Sequence, residues 1–414
     1  MAIVGSLVIR GGVQQNEVVI DHRQIPLLDL ASQHSPIRDE LLAAIVRVLD
    51  SQKFILGEDV ARLEQEIAAY VGTPHAIACA SGSDALSLAL WALDIQPGDE
   101  VLTTPFTFFA TAGSISRVGA RPVFLDIEPA TFNMDMNRVE EALQAHPRVR
   151  AIIPVHLFGG CADMNSLAIL AEKRGISIIE DAAQAIGSEC TGKRAGSLGV
   201  IGCFSFYPTK NLGGYGDGGM VVTNHRRLYE KLRLLRCYGE KKKYEHHLKG
   251  GNSRLDELQA AILRVKLNYL DRWNEERREK ATLYSQRLAS SGVVRPLERR
   301  GARHVYYLYV IRTRKRDSLQ AFLKQRGIET LIHYPIPIHQ QRAFKELGYR
   351  RGDLPLTEQC SRKILSLPFF PGITESEMEE VANGIQDFVD TLVSAPGSSD
   401  RSQGRRTRRR SVID

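Results

Sequence analysis

Lys210 stands in the stretch SFYPTKNLGGYGDGG, residues 205–219, between an aromatic strand-like run and a glycine-rich loop. A lysine can form a reversible imine with an aldehyde, and its pKa falls when it is desolvated. Taken alone, it reads equally well as an exposed lysine in a flexible loop. Asp181 closes the mostly apolar run ISIIED and is followed by AAQA. A carboxylate at the carboxyl end of a parallel strand sits where open α/β sheets bind ligands. It suits either a helix N-cap or a partner for a protonated pyridine nitrogen. Ser81-Gly82-Ser83-Asp84 lies between the short apolar run AIACA and a helical segment. That is an N-cap, or a phosphate cradle made of backbone N–H groups. PFTFFA, residues 105–110, supplies aromatics for a core or for stacking on a planar ring. Each feature is weak by itself. Together they are an imine-forming lysine, a pyridinium carboxylate, a phosphate cradle and a stacking aromatic, the parts of a pyridoxal phosphate (PLP) site.

The elements that must hold these residues follow from periodicity. Helical spacing of apolar residues predicts helices over 36–49 and 59–70, and short apolar runs predict strands over 76–80, 100–103, 122–126, 151–156 and 176–181. A helix over 164–173 separates two of them. Buried runs alternating with helices predict an α/β domain with a mostly parallel sheet. A long amphipathic helix is expected over 254–288, then a strand in HVYYLYVIRT and a helix in DSLQAFLKQRG. The last helix opens with a capping box, Thr374 with Glu377 three residues on. The expected division is a tail over 1–24, a large α/β domain over 25–270, a small α+β domain over 271–394, and a disordered tail over 395–414 that is almost without apolar residues.

Composition bounds the alternatives. The 414 residues are 43% hydrophobic and 25% charged, a globular profile. Six scattered cysteines without a C-x-x-C pair argue against zinc or a redox dithiol and fit a reducing cytosol. The N-terminus lacks the basic start and cleavage site of a signal peptide, and no apolar run is long enough to span a membrane. The expected location is therefore the cytoplasm. The net charge of +7 hints at a polyanion, yet six arginines against Asp400 and Asp414 put +4 of it in the C-terminal tail. No nucleic-acid reader is evident, and neither nucleic acid nor membrane is an expected partner. GSECTGKR, residues 187–194, nearly spells a P-loop, but Arg194 replaces the Mg²⁺-binding hydroxyl.

The chain resembles the DegT/DnrJ/EryC1/StrS aminotransferases, which act on nucleotide-linked keto-sugars. The likeness runs from about Ile25 to about Val393 and is carried by FILGEDVARLE, ACASGSDALSLAL, GDEVLTTPFTFFATA, PVHLFG, IEDAAQAIG, SFYPTKNLGGYGDGG, GGNSRLDELQAAIL and HYPIPIH. The resemblance implies a PLP-dependent transferase fold of type I, similar to aspartate aminotransferase, with a smaller C-terminal α+β domain. It implies that Lys210 carries PLP and moves protons, that Asp181 pairs with the pyridine nitrogen, and that Gln184 approaches the ring's phenolic oxygen. Phe108 would stack on the ring, and Gly82, Ser83 and Ser205 would hold the phosphate. Asn252 would reach the partner's phosphate across a homodimer. The family usually has Asn or Ser, then Gly-Thr, where this chain has Ser81-Gly82-Ser83; the hydroxyl is kept. Some relatives replace the lysine by histidine and act as dehydratases, so Lys210 favours transamination, with L-glutamate donating nitrogen and leaving as 2-oxoglutarate. Within the family the likeness is nearest to enzymes aminating C3 of UDP-2-acetamido-3-oxo-glucuronate, through CADM, YGEKKKYEHHLKGGNSRLD and HYPIPIH, with amination at C4 of a UDP- or dTDP-4-keto-6-deoxy sugar as the alternative. His246 and His247, in a basic cluster with Lys241, Lys242, Lys243 and Lys249, would meet the substrate's negative charges. Tyr334 and His339 would line the sugar pocket, a core or turn role for His339 being nearly as well supported.

Overall fold

Short strands in which successive apolar side chains point to opposite faces build the centre of the molecule. The computed structural model describes residues 24–394. The strands are β1 (His75–Cys79), β2 (Glu100–Thr103), β3 (Arg121–Phe124), β4 (Val149–Ile153), β5 (Ser177–Asp181), β6 (Ile201–Ser205) and β7 (Gly219–Thr223). They form one sheet in the order β1-β7-β6-β5-β4-β2-β3. The run from β6 to β3 is parallel, and β7 is antiparallel to both its neighbours. This is the expected mixed α/β architecture with a mostly parallel sheet.

Both faces of the sheet are covered. Ala76, Ala78, Leu102, Ile152 and Ile178 enter one core, with Leu63 and Ile67 of the helix Glu58–Val71 and Leu263 of Glu257–Leu267. Ile77, Val101, Ala151, Ile153, Ile179 and Ile201 enter the other, with the helices Gly82–Ala92 and Arg226–Leu235. Strands buried on both faces explain why these runs are continuously apolar.

A separate core gathers Tyr284 and Leu288, Tyr309 and Ile311, Leu365 and Leu367, and Val381 and Ile385. It rests on the antiparallel pair Tyr309–Arg312 with Ile364–Leu367, flanked by the helices Arg316–Gln325 and Glu375–Ser394. Ile25 belongs to this core too, and its N–H donates to the Gly327 carbonyl at 2.9 Å. The capping box is present: the Glu377 N–H donates to Thr374 Oγ1 at 3.2 Å, and the Thr374 N–H to Glu377 Oε2 at 2.8 Å.

Two sequence expectations change. The single helix over 254–288 is two, Glu257–Leu267 and Leu270–Arg287. A tight turn, Tyr269 N–H to the Lys266 carbonyl at 3.0 Å, separates them and lets Leu270 enter the main core. The strand in HVYYLYVIRT shrinks to Tyr309–Arg312, because Tyr306 takes a positive φ of 43° and its N–H turns back to His304 Nδ1. The near-P-loop forms a hairpin of Glu189–Cys190 with Lys193–Arg194, without the strand-to-helix geometry of a nucleotide loop. The tail expected over 1–24 lies outside the described residues except for its last position, and the tail over 395–414 lies wholly outside them. No described helix is long and apolar enough to cross a membrane.

Candidate active site

Sheet register brings the candidate residues to one edge. Gly219 pairs with Ser205 on one side and with Cys79 on the other, so the ends of β6 and β1 lie together. Cys79 leads into Ser81, which caps the helix Gly82–Ala92 by accepting the Asp84 N–H on its Oγ at 3.1 Å. The first N–H groups of a helix have no acceptor within it, and here they open beside Ser205. A Cβ on Gly82 would lie 2.7 Å from the Ser205 Cβ, so only glycine permits this approach.

Asp181 ends β5, one strand along, and is 5% exposed. Its Oδ2 accepts the Thr111 hydroxyl at 2.7 Å and its Oδ1 accepts the Ala183 N–H at 3.2 Å. Burial raises the carboxyl's pKa, while these two donors and the charge of Lys210 pull it down. Among the described residues Asp181 has no salt bridge, so a buried carboxylate faces the cavity with room for one cationic partner.

The cavity holds about 600 Å³, a volume suited to a small cofactor with part of a substrate. Gly82, Ser83, Phe108, Asp181, Gln184, Ser205, Lys210 and Tyr334 all line it. Lys210 Nζ lies 4.1 Å from the centre of the Tyr307 ring. Gln184 is oriented from both ends: its Oε1 accepts the Phe158 N–H at 2.8 Å and its Nε2 donates to the Tyr334 hydroxyl at 3.1 Å. Phe108 is 56% exposed, with its ring centre 5.8 Å from that of Tyr334. An exposed aromatic over a cavity floor is a face available for a planar ring. Backbone and hydroxyl donors for a phosphate, a buried carboxylate for a ring nitrogen and an amine for an aldehyde all fit PLP.

Four of the expected residues stand elsewhere. His339 does not line this cavity; it is buried with its Nε2 3.3 Å from Glu358 Oε1, and the cause is that HYPIPIH turns into the 3₁₀ segment Ile338–Gln340. Asn252 is exposed outside the cavity, its Oδ1 accepting Arg254 Nε at 2.8 Å. His246 and His247 are exposed on the hairpin of Glu240–Lys242 with Glu245–His246. The sequence reading missed Thr111, Tyr307, His333 and the segment Leu27-Leu28, all of which line the cavity. Thr111 stands one helical turn after Thr107, and its hydroxyl meets that of Thr107 at 3.0 Å, so TFFAT carried a signal. His333 opens the HYPIPIH stretch, from which the sequence reading takes only Tyr334 and His339; burial and the charge of Lys210 push its pKa down to about 4.

This sheet, with Lys210, Asp181 and the helix start at Gly82 gathered on one cavity, has the architecture of a PLP-dependent transferase of fold type I. The sequence profile of the DegT/DnrJ/EryC1/StrS aminotransferase family matches residues 35–386, and the chain belongs to that family. It is an aminotransferase, and members of the family depend on PLP. The chain is 51% identical to the "pleiotropic regulatory protein" of Geobacillus stearothermophilus, over 88% of this chain and 98% of that one. It is 45% identical to the UDP-N-acetyl-3-dehydro-alpha-D-glucosamine 3-aminotransferase of Acidithiobacillus ferrooxidans, over 87% and 97%. Among solved structures, DesV of S. venezuelae in complex with a ketimine intermediate superposes with a TM-score of 0.86 at 43% identity, over 89% and 99%.

Proposed function

We propose that this nucleotide-sugar aminotransferase moves the amino group of L-glutamate to the C3 ketone of a UDP-linked 2-acetamido-3-keto sugar. UDP-2-acetamido-3-oxo-glucuronate is the best-fitting member, and the product serves cell-surface polysaccharide synthesis. The observation that carries the reading is the convergence of Lys210, Asp181 and the Ser81–Ser83 helix start on one cavity. The choice of C3 and UDP is supported by the CADM and HYPIPIH stretches and by the relative that aminates C3 of a UDP-sugar.

PLP, when bound, supplies an aldehyde that links to amines and a ring that withdraws electrons from the carbon being deprotonated. The protein supplies the rest. Gly82 and Ser83 N–H groups and the Ser205 hydroxyl hold the phosphate. Asp181 holds a proton on the pyridine nitrogen. Gln184, fixed by Phe158 and Tyr334, directs its amide at the ring's phenolic oxygen. Phe108 would pack against the ring. Lys210 would hold the cofactor by its aldehyde, and its Nζ would take the proton from the donor's α-carbon. In a homodimer Asn252 reaches the partner's site, and His246 and His247 on their exposed hairpin meet the sugar nucleotide's negative charge. Residues 25–270 form the cofactor domain, apart from Ile25, which packs into the core of 271–394, the smaller domain on the sugar side.

The test incubates the protein with PLP, glutamate and a panel of UDP- and dTDP-linked 3- and 4-keto sugars, read by mass spectrometry. A UDP-3-keto sugar should gain an amine with one 2-oxoglutarate formed for each. Amination of 4-keto sugars alone would refute the C3 reading, and loss of water without nitrogen transfer would make the chain a dehydratase.

A further inference from the structure

Two consecutive helices, Glu257–Leu267 and Leu270–Arg287, set three buried polar side chains against the residues around Lys210. Lys266 is 1% exposed; its Nζ donates to the Gly213 carbonyl at 2.8 Å and lies 4.1 Å from the Tyr215 ring centre. Gln259, on the same helix, accepts the Tyr215 N–H at 2.7 Å. Asn274 is also 1% exposed; its Oδ1 accepts Asn211 Nδ2 at 2.7 Å, and Asn211 follows Lys210 directly. Asn274 Nδ2 donates to the Ile186 carbonyl at 3.1 Å, and a Cβ on Gly187 would come within 2.5 Å of that nitrogen. Arg277, 2% exposed, donates from Nη1 to the carbonyls of Tyr306 at 3.2 Å and Tyr307 at 3.4 Å. The Tyr307 ring carries Lys210 Nζ, and its hydroxyl meets Thr209 Oγ1 at 3.1 Å.

Neither Lys266 nor Arg277 has a salt bridge among the described residues. Burying a cation without a carboxylate is unfavourable, and apolar side chains would join these helices to the sheet more stably. Burial accordingly lowers the pKa of Lys266 to about 7 and that of Arg277 to about 10. What the arrangement gains is geometric. Besides Ile186 and Tyr306, the contacts end at positions 211, 213 and 307: the first two just after the lysine in sequence, the third against its side chain. We propose that Lys266, Asn274 and Arg277 are positioning residues that fix the segment bearing Lys210 for imine formation and proton transfer. The inference rests on the role of Lys210 proposed above.

The experiment uses full-length holoenzyme and the variants Lys266→Met, Lys266→Gln and Asn274→Ala. Three quantities are read: visible circular dichroism of bound PLP, its release rate, and kcat against KM for the glutamate half-reaction. Losing one such contact should lower kcat about tenfold with KM for glutamate little changed, and should weaken the dichroism and speed release. Lys266→Gln keeps a donor for Gly213 and should lie between wild type and Lys266→Met. If Lys266→Met and Asn274→Ala do not fold, Lys266→Gln decides by the same readouts. Variants indistinguishable from wild type in all three overturn the inference. Wild-type enzyme is first trapped with borohydride: failure to label Lys210 refutes the role of Lys210 itself, whereas labelled wild type with unchanged variants refutes only the positioning.

Discussion

Thr111→Val is the most informative single perturbation of the site, because it removes one hydroxyl and keeps the shape. Thr111 Oγ1 donates to Asp181 Oδ2 at 2.7 Å, and the Ala183 N–H serves the other oxygen at 3.2 Å. Hydrogen bonds to a charged group contribute about 1.5–3 kcal/mol. At about 1.4 kcal/mol per pKa unit, losing this one raises the Asp181 carboxyl by roughly one to two units. Burial already pushes that carboxyl up, so the remaining Ala183 N–H and the charge of Lys210 are left to hold it ionised. The glutamate half-reaction should slow by about 10- to 100-fold, because a weaker carboxylate holds the ring proton less well. The acid limb of its pH profile should move to higher pH, since the protonated carboxyl is now favoured. Single-turnover absorbance of the cofactor across pH measures both. A variant within twofold of wild type, with an unmoved acid limb, would refute the assignment of Thr111 and Asp181.

Other consequences follow from particular contacts. Gly82→Ala places a Cβ 2.7 Å from the Ser205 Cβ, so it should weaken PLP binding at least about tenfold, as read by fluorescence titration; unchanged affinity would remove the phosphate cradle from the account. Burial holds His34 near pKa 4, His304 near 3 and His333 near 4, against an ordinary value of 6.5. Their unfolded forms bind protons between about pH 6.5 and 4 while the folded forms do not, so stability is full above that window and falls as pH drops through it. The slope for each histidine is about 1.4 kcal/mol per pH unit at most, and urea melts from pH 7 to 4 should show the loss. Thr374→Ala removes the capping box and should cost about 1 kcal/mol in the same melts.

Much of the sheet was legible because strands buried on both faces must be continuously apolar. Residues 100–103 were placed to the residue and four further strands within a few positions, whereas Gly219–Thr223 was not expected and Ile201–Ser205 only as a strand-like run ahead of Lys210. The break at Asn268–Tyr269 was not legible, since both flanking segments keep helical periodicity and only packing of Leu270 into the main core separates them. The cavity residues from the chemistry-bearing motifs converge as read, because each motif closes a strand or opens a helix at one sheet edge. Tyr307 gave no local signal, since it arrives from the C-terminal part of the chain through tertiary packing, whereas His333 stands in HYPIPIH beside Tyr334 and was not singled out there. His339 takes the core position that stood beside the pocket role in the sequence, its Nε2 3.3 Å from Glu358 Oε1, a partner 19 residues away that no spacing rule connects to it.

The claim that Lys210 carries the chemistry is tested most directly by reducing PLP-loaded protein with borohydride and mapping the labelled peptide. The account predicts a single pyridoxyl group on Lys210 and no glutamate-dependent 2-oxoglutarate from Lys210→Ala. A label on another lysine, or turnover that survives Lys210→Ala, would contradict it.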